Sequence, residues 1–231
     1  MTLPRVLSGV AAVGLLAACQ APPPPAAASP APEPTASHFA LAFDLPTFVM
    51  DGDLARLRIT AEELAEEDPA DMPPGSDQLR DRVREAARRA AQASDPAGAA
   101  FAVAQVAASC GTCHLANDAM LGQRLHVAAP RMAGPARHTD YLSWVSRLLW
   151  DGLMAPSDRM WRTGAGALVG ADAFPPPRAG HVPTDEVTRA ATNLDELGAE
   201  AVMAADADAR ADLLGRIWTV CADCHVQAGI R

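Results

Sequence analysis

Lysine is absent from this chain, and every one of its 19 cationic side chains is arginine. Positive charge as a whole is in short supply: 28 acidic residues leave a formal net charge of -9. Phosphate binding needs a basic footprint, so nucleic acid is excluded as a partner, and basic protein patches or small molecules are favoured. Aromatic residues make up only 4%. No alternation of apolar and polar residues long enough for a strand occurs, and no acid/base constellation stands out from the Asp and Glu of solvated helix faces. The hydrophobic content is nevertheless 49%, much of it alanine, the residue that costs least in a helix. An all-α fold is the expectation.

The longest apolar run near the start, "VLSGVAAVGLLAA", follows Arg5 and is too short for a spanning helix, which needs about 20 residues. Residues 1–18 read instead as an export signal. The stretch "LAAC" ending at Cys19 resembles the bacterial lipoprotein box, which implies that Cys19 becomes the lipidated first residue. The expected location is the periplasmic face of a bacterial membrane, and Gln20 in place of aspartate favours the outer one. Residues 19–36, with "APPPPAAASPAPEPTA", cannot build a core and form a tether.

Four cysteines remain, in "CGTCH" (Cys110, Cys113, His114) and "CADCH" (Cys221, Cys224, His225). A bare C-x-x-C suits a thioredoxin-like redox pair or half of a zinc site. A histidine directly after both copies suits c-type haem: two thiols for the two vinyl groups and an imidazole for the iron. Two covalently attached haem c groups are therefore expected, and no cysteine is left over.

Each motif ends a long helical pattern, and only "VQAGIR" follows His225, with no methionine, histidine or lysine. Any second ligand to that iron must come from upstream. A motif at the far end of the last helix resembles the class II cytochromes c, of which cytochrome c-prime is the best-known member. The resemblance implies antiparallel four-helix bundles whose last helix closes on the haem.

The chain also repeats itself. "HFALAFDLPTFVMDG" from His38 and "HTDYLSWVSRLLWDG" from His138 place Asp-Gly at the same distance from histidine. Two tandem four-helix units are expected, at residues 37–117 and 137–231, joined by a linker at 118–136. Ala42, Leu45 and Val49 share a helix face with His38, and Tyr141, Val145 and Leu149 with His138. In an up-down-up-down bundle the start of the first helix meets the end of the fourth. His38 is thus the candidate second ligand opposite His114, and His138 opposite His225. Met50 and Met154 are weaker candidates, better read as core, and Pro46 should kink the first helix near Ala42. His126 and His181 lie in proline-containing loops and read as solvent-facing. Asp95 with Pro96, Ser76 and Ser157 read as helix starts. The four tryptophans read mostly as core of the second unit.

Two such haems in an exported, tethered chain imply an electron carrier rather than an enzyme, serving periplasmic or membrane redox proteins. A small-gas binder with an open haem site and a dihaem peroxidase-like enzyme are the alternatives.

Overall fold

A computed structural model describes residues 36–68, 73–119, 137–170 and 185–228, without the side chains of 36–39, 137–139 and 227–228. The signal, Cys19, the tether, His126 and His181 lie outside the described residues, as do the His38 and His138 side chains. The protein is all-α: the described residues form eight helices and no strand. These are α1 (Ala36–Met50), α2 (Leu54–Glu66), α3 (Asp77–Gln92), α4 (Pro96–Ala116), α5 (Arg137–Met154), α6 (Asp158–Ala167), α7 (Asp185–Met203) and α8 (Ala207–Ala228). All belong to one compact unit, Thr35–Arg231.

The helix starts follow capping chemistry. Asp95 caps α4 by accepting from the Gly98 N–H at 2.9 Å, with Pro96 in the first turn, where a missing N–H costs nothing. Ser157 caps α6 by accepting from the Met160 N–H. Ser76 stands at the head of α3 but makes no side-chain cap; its hydroxyl reaches Asn117 at the end of α4, 3.2 Å away. α1 runs continuously through Pro46 to Met50, although proline deprives the Ala42 carbonyl of its usual partner.

α1 to α4 run alternately up and down. Arg58 near the start of α2 donates to the Ala93 carbonyl beyond the end of α3, and Ser76 at the start of α3 meets Asn117 at the end of α4. α4 also packs against α1. α5 to α8 repeat the pattern. The Tyr141 hydroxyl near the start of α5 donates to the Ala167 carbonyl at the end of α6, and Trp161 Nε1 near the start of α6 donates to the Ala201 carbonyl near the end of α7. Arg210 early in α8 pairs with Asp158 at 2.6 Å, and Trp218 Nε1 further along donates to the Ser146 hydroxyl of α5, so α8 runs antiparallel to α5.

The two sets of four fill their cores differently. α3 and α4 meet through alanines, Ala86, Ala87, Ala90, Ala99, Ala100 and Ala104 among them, all wholly buried. Small residues let helix axes approach closely. The later helices bury Trp150, Trp161 and Trp218 completely, with the Trp150 and Trp218 rings 5.7 Å apart. α4 and α8 then pack against each other across the middle, where Gly215 leaves room for Phe101; a Cβ there would come within 2.6 Å of the phenyl ring. α4 is apolar and long enough to cross a membrane, but it is the central core helix of this fold.

Gly152 in α5 is helical and lies against the backbone of α6, where a Cβ would stand 2.6 Å from the Trp161 nitrogen. Gly166 in α6 faces open space. In urea unfolding, Gly152→Val should lose about 1–3 kcal/mol through overpacking. Gly166→Ala should be neutral or gain up to about 1 kcal/mol from helix propensity.

Candidate functional site: two CxxCH motifs braced across the halves

Cys110, Cys113 and His114 occupy the last two turns of α4, and Cys221, Cys224 and His225 the corresponding turns of α8. All four cysteines are free and half-exposed. Cys110 and Cys221 keep an exposed edge, but both pack against the hydrophobic core. Burial first, then the neighbouring Cys113, pushes the Cys110 thiol up to about 12; burial and Cys224 do the same to Cys221, also to about 12. Cys113 and Cys224 are also raised by burial, with the Asn117 amide opposing the effect at Cys113. Asn117 secures the end of α4 as well, donating to the Cys113 carbonyl at 2.8 Å. Among the described residues, no cation lowers these thiols as it would a redox-pair cysteine.

His114 is oriented at its Nδ1. Its Nδ1 lies 2.7 Å from the carbonyl oxygen of Met154, the last residue of α5. A carbonyl can only accept, so Nδ1 carries the proton, and in the neutral imidazole Nε2 is then the nitrogen able to bind a metal. The bond also satisfies one of the carbonyls that a helix leaves unpaired at its C-terminus. Just before it in the motif, Gly111 is required by the same approach: a Cβ there would run into the Leu153 carbonyl. The second motif carries Ala222 at this position, and it is buried.

His225 sits differently. Its Nδ1 is buried and has no hydrogen-bond partner among the described residues, and Asp51 Oδ1, just beyond the end of α1, lies 4.0 Å away. Each motif histidine therefore turns its outer nitrogen toward the first helix of the opposite half. The sequence carries no signal for Met154, whose backbone does the work. Asp51 was visible only as a spacing mark in the repeated Asp-Gly.

α1 begins at the end of the fold where α4 finishes, and α5 where α8 finishes. His38 and His138, in the first turns of α1 and α5, thus share an end with His114 and His225 respectively. Met154 does not fit as a second ligand. Its side chain is buried in the core at the opposite end of α5 from Cys221–His225, and its carbonyl lies on the Nδ1 side of His114, away from Nε2. Met50 likewise ends α1, away from Cys110–His114.

The motifs lie at opposite ends of the fold. Trp218 is level with Ser146, and from there α8 continues seven residues one way to His225 while α5 continues eight the other way to Met154. At about 1.5 Å per residue the two motif histidines are about 20 Å apart along the axis. One zinc ion cannot be shared between them, and no group of three or more metal-binding side chains converges among the described residues. Two surface clefts, of about 290 and 460 Å³, lie beside Phe101 and involve neither motif. No protein-family model, curated protein or solved structure matches the chain.

The neutral Cys110 and Cys221 thiols favour the folded state, because ionisation is easier in the unfolded chain, near 9.0. Their contribution is complete below about pH 9 and is lost as pH rises toward 12. At pH 8 about one such thiol in ten thousand is ionised. Iodoacetamide applied to the haem-free chain at that pH should therefore label Cys113 and Cys224 well before Cys110 and Cys221 in peptide mass mapping. Equal labelling of all four would contradict the burial described.

Proposed function

We propose that this protein is an exported, lipid-anchored dihaem c-type cytochrome that passes electrons between redox partners at the periplasmic face of a bacterial membrane. In this reading each half is an antiparallel four-helix bundle that closes on its own CxxCH, as in the class II cytochromes c. The observation that carries it is the grouping at the end of α4: Cys110, Cys113 and His114 share its last two turns, and His114 donates its Nδ1–H to the Met154 carbonyl. A metal-bound histidine is oriented in this way, its second nitrogen donating to a carbonyl or carboxylate.

Bound haem would supply a one-electron Fe(III)/Fe(II) couple. Cys110 and Cys113, and Cys221 and Cys224, would hold the two groups as thioethers. A thioether has no proton to lose, so the burial that suppresses these thiols costs nothing once the bonds are made. His114 and His225 would bind iron from the helix side. His38 and His138, at the same ends of the fold, would complete the coordination and leave no position for substrate. The acidic chain suits partners with basic docking surfaces. The export signal, Cys19 and the proline-rich tether support a membrane-held location.

Near-infrared magnetic circular dichroism of the oxidised protein tests the ligands. Two low-spin His/His haems are expected. His38→Ala and His138→Ala should each convert one haem and leave the other unchanged. A high-spin component in the unaltered protein would contradict the carrier and favour an open-site gas binder or a peroxidase-like enzyme.

A further inference from the structure

The two halves repeat the same Asp-Gly after their first helix, but they use it differently. In the second half Asp151 is wholly buried; Arg147, one turn back, holds one carboxylate oxygen, and the other oxygen is buried without a hydrogen-bond partner. Arg147 is itself seated, its guanidinium 3.6 Å above the Phe43 ring. α5 runs on past Gly152 to Met154, and this extra turn delivers the Met154 carbonyl to His114. In the first half position 47 is threonine, so Asp51 has no arginine one turn back. α1 stops at Met50, and Gly52 turns the chain with φ +67, a conformation that favours glycine. The Asp51 carboxylate is left half-exposed, with Oδ1 at 4.0 Å from His225 Nδ1.

We propose that Asp51 is a positioning residue for His225, raising its strength as an electron donor and lowering the potential of the Cys221–Cys224 haem. This rests on the haem reading above. A carboxylate facing Nδ1–H draws the proton toward itself and raises the donor strength of Nε2, and its negative charge stabilises the ferric over the ferrous state. A neutral carbonyl, such as the Met154 oxygen at Nδ1 of His114, does both more weakly. The distance closes to a hydrogen bond with a small rotation of the Asp51 side chain, which no other described ion pair restrains. His225 Nδ1, buried and unpartnered, has that bond to gain.

The test is spectroelectrochemical titration of the full, haem-loaded chain, with haem content measured first on the same preparations. A variant lacking Cys110 and Cys113 assigns the wave of the second haem. Asp51→Asn should shift that wave to more positive potential and leave the other in place, and Asp51→Glu should restore part of the shift. Asp44→Asn removes the same charge from an exposed position on α1 and should move neither wave. Two haems with unmoved potentials in Asp51→Asn, a shift in the wave of the Cys110–Cys113 haem instead, or equal shifts in Asp51→Asn and Asp44→Asn would each overturn the assignment. A chain without haem would overturn the proposed function instead, and the haem content separates the two failures.

Discussion

The antiparallel pairing of α4 and α8 is the constraint from which the rest of the arrangement follows. Both helices carry their chemistry at the C-terminal end, so running them in opposite directions sends the two motifs to opposite ends of one compact unit. Gly215 under Phe101 allows the close approach, and the alanines of α4 give it a smooth surface to pack on. A parallel pairing would have set four cysteines and two histidines side by side, the arrangement of a shared metal site. The observed crossing instead isolates each motif with its own surroundings.

The same crossing gives α1 and α5 two duties each. The N-terminal turn of each lies at the motif end of its own half, where His38 and His138 are placed, and its C-terminal end reaches the motif histidine of the other half. Neither half is therefore self-sufficient: His114 depends on Met154, and His225 faces Asp51. Small differences between the stretches around the two Asp-Gly pairs decide what each histidine sees. An added helical turn in α5, Arg147 against Thr47, and glycine against alanine inside the motifs all bear on the same two contacts. The difference between CGTCH and CADCH thus has a packing reason, since only glycine clears the Leu153 carbonyl.

Much of this was legible in the residues. Helical content, the Asp95–Pro96 and Ser157 starts, and the buried faces of Ala42, Leu45, Val49, Val145 and Leu149 follow from local rules of propensity, capping and periodicity. Where local rules failed, a longer-range contact had prevailed. Ser76 was expected to cap α3, but its hydroxyl is engaged by Asn117, forty-one residues away. Pro46 was expected to kink α1 near Ala42, and the helix runs on through it to Met50. The bracing of each histidine by the opposite half could not be read at all, because a backbone carbonyl leaves no mark in a sequence and the crossing of α4 and α8 joins segments a hundred residues apart.

The account stands on both motifs holding haem within one chain. Intact mass and the pyridine haemochrome spectrum, taken on full-length protein made in a host with haem-attachment machinery, measure that directly. Two covalently attached haems per chain are expected, falling to one when Cys110 and Cys113, or Cys221 and Cys224, are replaced by alanine. A chain that emerges haem-free with both histidines and all four thiols intact would contradict the account at its root.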